Sequence, residues 1–207
     1  MVRKVLLTGF EPFGGSEVNP SWEIARSLDG QEIAGARVVA ARLPVAWRQA
    51  LEVIASHIER ERPDLVVSLG ESARAEICPE RIGINVSDAL SGDNAGVVLT
   101  DEPIAASGPA AYFSRLPVKE MVAAVRAVGV PARLSNTAGT YLCNHVMYGA
   151  LDYLARKGLG IPAGFIHVPR LPEQVAQKDK EGPSMSLETQ VRGVGAALDC
   201  CVKRLAG

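Results

Sequence analysis

Residues 135–149 read SNTAGTYLCNHVMYG and place one cysteine, Cys143, where a turn passes into a helix. The first five of these residues have the composition of a turn. Apolar side chains then recur at helical spacing, at Leu142, Val146, Ala150 and Tyr153. Asn136, Thr137 and Thr140 are candidate N-caps, which puts Cys143 within about the first helical turn. A helix N-terminus favours an anion, so this thiol is suited to be a nucleophile; the alternative is a small core residue.

Length, composition and charge describe an ordinary globular chain. The 207 residues are 47% hydrophobic and carry a net charge of −1, which predicts one domain spanning residues 1–207. No block of like charge is present, so we expect no nucleic-acid partner and no membrane partner. The chain has neither a signal-peptide pattern nor about 18 consecutive apolar residues, which predicts a cytoplasmic protein. The four cysteines form no Cys-x-x-Cys pair and are expected to be free thiols.

Strand-like and helix-like segments alternate along the chain. This pattern predicts an α/β fold, a three-layer open and mostly parallel sheet with helices on both faces. The predicted strands are 5–7, 37–43, 64–69, 132–135 and 163–168, and the predicted helices are one from Pro20, then 46–60, 119–128, 140–156 and one from Leu187 to the C-terminus. Residues 71–111 interrupt the alternation, and 82–86 and 97–99 within them are predicted to form a β-hairpin. Residues 171–185 are predicted to be a long mobile loop, with a lid as one option.

Reactive side chains follow the predicted strands. Ligands of open α/β sheets bind beyond the carboxyl ends of the strands, where Cys143, His167 and the carboxylates of Glu71, Glu76 and Glu80 are expected. Acyl transfer by a cysteine needs a thiolate, a histidine to carry its proton and an acid to orient the ring. The residues alone do not choose among the three glutamates.

The base follows by elimination, because the chain has three histidines. His145 is two residues from Cys143, and at about 100° per helical residue the two side chains point nearly opposite ways. His57 comes late in a helix that follows a strand, which carries it to the amino edge of the sheet. His167 remains as the predicted base. The same helical geometry disfavours a zinc site made of Cys143, His145 and His167, and no metal is expected.

Four motifs carry a family resemblance across nearly the whole chain. They are GFEPF at 9–13 followed by NPS at 19–21, ERIGIN at 80–85, SNTAGTYLCN at 135–144 and GFIHVP at 164–169. In this order and spacing they closely resemble the pyroglutamyl peptidase I family, also called pyrrolidone carboxyl peptidases. The resemblance implies a cytoplasmic cysteine exopeptidase that removes an N-terminal pyroglutamyl residue, without metal or cofactor, and commonly a homotetramer. It implies Glu80, Cys143 and His167 as the catalytic residues, and so selects Glu80 from the three candidate glutamates.

The resemblance also bears on substrate binding, for which Phe10, Phe13, Asn19 and Glu71 are the predicted residues. Pyroglutamate has a flat neutral ring, so two phenylalanines within four residues could contact its faces; the alternative is ordinary packing at the sheet edge. Two positions depart from the family pattern. Glu71 stands where many members have glutamine, so its charge must turn away from a neutral lactam, and Leu90 stands where an arginine is common.

Two other functions remain as alternatives. A different cysteine hydrolase or an amidotransferase would use the same three residue types on a glutamine-like amide. A nucleotide-binding module could be argued from the glycine-rich loop at 9–15, but this loop matches neither Gly-x-Gly-x-x-Gly nor the P-loop pattern.

Overall fold

The computed structural model describes residues 2–176 and 182–205. In chain order the elements are β1 (Arg3–Phe10), α1 (Pro20–Leu28), β2 (Glu32–Ile33), β3 (Ala36–Leu43), α2 (Trp47–Glu61), β4 (Leu65–Ser72), β5 (Cys78–Pro79), β6 (Ile82–Ile84), β7 (Ala111–Phe113), α3 (Val118–Ala127), α4 (Leu142–Arg156), β8 (Ala163–Pro169), α5 (Pro172–Ala176) and α6 (Leu187–Arg204). The predicted helix from Pro20 is confirmed, with Asn19 as its N-cap and proline in its first turn.

The main sheet has the strand order β2-β3-β1-β4-β8-β5. Its four central strands run parallel, and the two short edge strands β2 and β5 run antiparallel to their neighbours. Strands β1, β4 and β8 are buried over most of their length and accordingly read as nearly continuous apolar runs, whereas β3 alternates buried and exposed residues. The predicted open, mostly parallel sheet is therefore confirmed.

Two apolar clusters, one on each side of the sheet, form the core. One joins the sheet to α1, α3 and α6 through residues such as Ile24, Met121 and Leu198. The other joins it to α2 and α4 through residues such as Ile54 and Val146. This arrangement confirms the predicted three layers. Within the described ranges, no helix is long and apolar enough to cross a membrane.

The predicted partner of the β-hairpin is wrong. Residues 82–84 do pair antiparallel, but with Ala111–Phe113 and not with 97–99. The backbone at Val97 is used elsewhere, because its N–H donates to Asp93 Oδ1 and its carbonyl accepts from the indole of Trp47, at 2.9 and 3.0 Å. Residues 97–99 therefore lie as a loop against the start of α2.

The predicted strand at 132–135 is also wrong. Only isolated parallel bridges, Ile77↔Ala132 and Glu80↔Ser135, connect this segment to its neighbour. The chain at 77–80 lies between this segment and β8, and Pro79 has no N–H to extend a ladder. The turn that leads to Cys143 is thus held by separate hydrogen bonds, such as Ser135 N–H to the Pro79 carbonyl at 3.0 Å.

The predicted loop at 171–185 is wrong in its first part, because 172–176 form the short helix α5. Leu171 is buried and its N–H donates to the side chain of Gln174 at 2.8 Å, which anchors the start of that helix. Residues 177–181, in the middle of the loop predicted to be mobile, lie outside the described residues, and the mobility of 171–185 stays a prediction.

Candidate active site

Cys143 is the second residue of α4 and is half-buried. The N-cap is Tyr141, which makes no side-chain capping bond, so the predicted caps Asn136, Thr137 and Thr140 are wrong. Thr137 accepts from Gly139 N–H at 3.1 Å, and the Thr140 hydroxyl donates to the Asp88 carbonyl at 2.8 Å. No N-cap side chain takes up the N–H groups of the first turn of α4, which is the end of the helix where the dipole favours an anion.

Gly70 gives the thiol its room at the carboxyl end of β4. A Cβ atom built at this glycine would lie 2.7 Å from Cys143 Sγ and 2.7 Å from the ring of Phe165. Real Cβ atoms do not approach other atoms that closely, so a larger residue would displace the sulfur. The glycine in this strand marks a close approach of another chain segment.

His167 lies beside Gly70 on the neighbouring strand β8. Its Nδ1 is 2.7 Å from Glu80 Oε1, and Glu80 is fully buried. Burial alone lowers the pKa of His167, but its charge interaction and hydrogen bond with Cys143, and then those with Glu80, outweigh burial and raise the pKa to about 9. The geometry therefore favours a protonated His167 ring between Cys143 and Glu80.

Arg74 is a second partner of Glu80, and the sequence reasoning missed it. Its Nη1 donates to Glu80 Oε1 at 2.7 Å, and its Nη2 donates to the Thr137 carbonyl at 3.1 Å. No periodic pattern covers residues 72–77, so nothing in the sequence indicated where this side chain points. The only available signal was a cation six residues before a carboxylate.

The other two candidate acids lie elsewhere. Glu71 pairs with Arg170 at 3.4 Å and accepts from Gln174 at 2.8 Å, and Glu76 pairs with Arg133 at 3.5 Å. Glu80 is thus the member of the trio whose carboxylate contacts His167.

Phe10 and Phe13 belong to the apolar cluster on the α2 and α4 side, which Cys143 and Tyr141 also contact. Phe10 is buried and Phe13 is half-buried. Asn19 is buried, and its side chain accepts from Ser21 and donates to the Glu11 carbonyl at 2.9 Å. Asn19 therefore holds the loop between β1 and α1.

The remaining histidines have other surroundings. His145 is buried, its Nδ1 lies 2.7 Å from the Ser87 hydroxyl, and its ring meets Trp47 edge-on. Burial lowers the pKa of His145 to about 4, so it is neutral at physiological pH. His57 lies beside Arg60, with 2.8 Å between ring and guanidinium nitrogens. Within 2–176 and 182–205, no group of three His, Cys, Asp or Glu side chains is arranged to hold a metal ion.

Asn144, next to the thiol, is a supporting residue that the sequence reasoning did not single out. Its carbonyl oxygen accepts from Ile84 N–H, and its amide donates to the carbonyls of Ile84 and Val86, each at 2.9 Å. One fully buried side chain thus joins the first turn of α4 to β6.

Comparison with known proteins places this geometry in context. Residues 3–204 match the family model described as pyroglutamyl peptidase. The chain is 50% identical to a pyrrolidone-carboxylate peptidase of Cupriavidus taiwanensis over 94% of this chain and 90% of the relative. It is 48% identical to one of Bacillus licheniformis over 95% of this chain and 91% of the relative.

Solved structures agree. The crystal structure of pyroglutamyl peptidase I from Bacillus amyloliquefaciens superposes with a TM-score of 0.95 at 39% identity, covering 98% of both chains. A mutant pyrrolidone carboxyl peptidase from Pyrococcus furiosus gives a TM-score of 0.94 at 44% identity, covering 98% of this chain and 99% of that one.

Proposed function

The chain belongs to the pyroglutamyl peptidase family of cysteine-type peptidases, and from that premise we propose that Cys143, His167 and Glu80 remove the N-terminal pyroglutamyl residue of peptides. One observation carries the assignment of roles. The His167–Glu80 hydrogen bond of 2.7 Å stands at the strand end where Gly70 leaves space for Cys143 Sγ. This arrangement supports the proposal of a nucleophile, a base and an orienting acid at one edge of the sheet.

In the proposed cycle His167 has taken the proton of Cys143 before the substrate is attacked, while Glu80 holds the imidazole. The thiolate attacks the pyroglutamyl carbonyl carbon, and a C–S bond forms as the carbonyl oxygen becomes an oxyanion. Backbone N–H groups at the start of α4 can stabilise that charge, a contribution of about 3 kcal/mol in comparable sites. His167 then protonates the leaving nitrogen as the C–N bond breaks, leaving a thioester.

Water completes the cycle. His167 accepts a proton from the water as its oxygen attacks the thioester carbon. The C–S bond breaks, pyroglutamate leaves, and the proton returns to the sulfur. The raised pKa of His167, about 9, supports its role as the proton donor in the first half of the cycle.

Phe10 and Phe13 are proposed to contact the flat lactam ring, with Asn19 shaping the loop that carries them. Their place in the cluster that Cys143 contacts supports this role. The carboxylate of Glu71, whose charge conflicts with a neutral lactam, instead pairs with Arg170 and accepts a hydrogen bond from Gln174. Its backbone, rather than its carboxylate, is therefore proposed to face the substrate.

A cytoplasmic homotetramer is also proposed, on family grounds alone. Light scattering of the purified protein tests the assembly, with about four times the 21.9 kDa chain mass as the expected result. A monomer at micromolar concentration would overturn this part of the proposal and leave the chemistry untouched.

The test of the function is an assay of a pyroglutamyl arylamide beside unblocked aminoacyl arylamides, with Cys143→Ala as the inactive control. Cleavage confined to the pyroglutamyl substrate is expected. Release of ammonia from free amides, without pyroglutamyl cleavage, would instead identify an amidase. Nucleotide-dependent thermal stabilisation would point to the nucleotide-binding alternative.

A further inference from the structure

Glu80 is a fully buried carboxylate on which two cationic groups converge. Arg74 Nη1 and His167 Nδ1 both lie 2.7 Å from the same oxygen, Oε1. The other oxygen, Oε2, is buried and has no hydrogen-bond partner in the described part of the chain. The orientation of this carboxylate therefore depends on what Oε1 contacts.

We propose that Arg74 is a positioning residue of the catalytic site, holding the Glu80 carboxylate ionised and fixed so that it can orient His167. This inference rests on the proposed function, because it assigns Arg74 a task within that triad. Arg74 acts through Glu80, because its guanidinium donates both to Glu80 and to the Thr137 carbonyl.

Desolvation makes such a cation necessary. A buried carboxylate loses its hydration and is stable as an anion only when paired and hydrogen-bonded. The Arg74 contact is short and charge-assisted, which is the strong class of hydrogen bond. A quarter of the Arg74 side chain remains exposed, so its own desolvation is partial.

The second hydrogen bond of Arg74 ties the acid to the nucleophile's loop. Nη2 donates to the Thr137 carbonyl, which also accepts from the Ser135 hydroxyl at 3.1 Å. Thr137 lies in the turn that leads into α4. One guanidinium thus connects the acid of the site with the segment that sets the position of Cys143.

The charged groups around this pair are few. His167 faces Glu80 from β8, Cys143 faces His167 from α4, and the thiol of Cys78 faces Arg74 from β5. Burial is the largest effect on the Cys78 thiol and raises its pKa, so it is neutral near pH 7. In the described part of the chain, Arg74 and His167 are the two cationic side chains hydrogen-bonded to Glu80.

The test compares Arg74→Gln and Arg74→Lys with the wild type across pH. Removing the cation makes the buried carboxylate harder to ionise, so activity should be lost at a higher pH as the solution is acidified. For Arg74→Gln we expect kcat to fall about tenfold or more, with KM changed less than about threefold. The midpoint of the acid limb of the kcat/KM profile should move up by about one pH unit. Arg74→Lys keeps the positive charge but lacks the two-pronged guanidinium, so the midpoint of its acid limb should lie close to that of the wild type.

A second readout does not need the peptidase reaction. The pH dependence of Cys143 alkylation by iodoacetamide reports the thiolate that His167 and Glu80 support, and should shift with the acid limb. Arg133→Gln is the matched control, because Arg133 pairs with Glu76 at the surface and should leave both profiles unchanged.

Two outcomes would overturn the inference. One is wild-type kcat and pH profiles in both Arg74 variants. The other is a loss of activity in Arg74→Gln that only follows its folded fraction, by circular dichroism, with both pH profiles unmoved. A wild-type protein that leaves pyroglutamyl substrates intact would refute the proposed function instead. The pH dependence of Cys143 alkylation would then still test whether Arg74 positions Glu80.

Discussion

A thiol and a hydroxyl of similar size differ most in how readily they become anions, and this difference isolates the role proposed for Cys143. Cys143→Ser should stay folded and lose about 100-fold or more in kcat/KM on a pyroglutamyl arylamide. Circular dichroism serves as the control for folding. Wild-type turnover by the serine variant would rule out the nucleophile.

The other thiols make alkylation selective. Burial raises the pKa of Cys78, Cys200 and Cys201, the last to about 12. Iodoacetamide should therefore label Cys143 first, and peptide mapping by mass spectrometry should find the label there when activity is lost. Inactivation that tracks only with label on the other three cysteines would contradict the assignment.

The proton on His167 is a second residue-scale prediction. Its imidazole should titrate near pH 9 in the wild type, because Cys143 and Glu80 together outweigh the effect of burial. Cys143→Ser removes the interaction of the ring with the sulfur, which raises the pKa of His167, so this pKa should fall. NMR of the imidazole protons can measure the pKa of His167, because His145 titrates in a different pH range, near pH 4. An unchanged His167 titration in the serine variant would mean that the two side chains are not coupled.

Two of the three candidate acids, Glu80 and Glu71, can be separated by one change each. Glu80→Gln removes the charge that faces His167 and should lower kcat by about tenfold or more. Glu71→Gln should change kcat by less than about threefold, because Glu71 pairs with Arg170 instead. Equal losses in the two variants would show that the orienting acid is wrongly placed.

At the scale of elements, Asn144 joins α4 to β6 by three hydrogen bonds. Asn144→Ala leaves a buried N–H and two carbonyls without these partners, so the free energy of unfolding should fall by about 2–4 kcal/mol. Urea unfolding measures the change. Asn94→Ala is the control, since Asn94 is exposed and should cost less than about 1 kcal/mol. Equal losses in the two variants would mean that the Asn144 bonds do not hold these elements together.

The sequence predicted well those elements whose secondary structure follows from the apolar pattern of their own residues. Helix α2 has an apolar stripe that is its buried face, and β1, β4 and β8 have continuous apolar runs. Because ligands of open α/β sheets bind beyond the carboxyl ends of the strands, the sequence also predicted that Cys143 and His167 lie near each other, without knowledge of side-chain contacts.

The misassigned segments depend on partners far along the chain. Residues 97–99 have β-prone side chains, but Asp93 and Trp47 take up the Val97 backbone. Residues 132–135 look like a strand, yet Pro79 prevents a continuous ladder beside them. Asn144 was missed for the same reason, because its partner Ile84 lies 60 residues away in sequence. Arg74 was missed although Glu80 is six residues away, because no periodic pattern shows where its side chain points.

At the scale of the whole molecule, the buried His145 links stability to pH. Its pKa is about 4 in the folded chain against 6.5 when exposed, because burial disfavours the charged ring. Above pH 6.5 the ring is neutral in both states and costs nothing. As pH falls from 6.5 to 4 the unfolded chain takes up a proton that the folded chain does not, so stability is lost across that window.

The expected loss from His145 is about 3 kcal/mol between pH 6.5 and 4, at no more than about 1.4 kcal/mol per pH unit. Urea unfolding at half-unit intervals should show a steeper acid slope for the wild type than for His145→Gln, which cannot take up that proton. His57→Gln is the matched control, because His57 is more exposed and its pKa is lowered less. Acid slopes that coincide in the wild type and His145→Gln would show that the ring is protonated in the folded chain, and that its surroundings are more polar than the contacts with Ser87 and Trp47 imply.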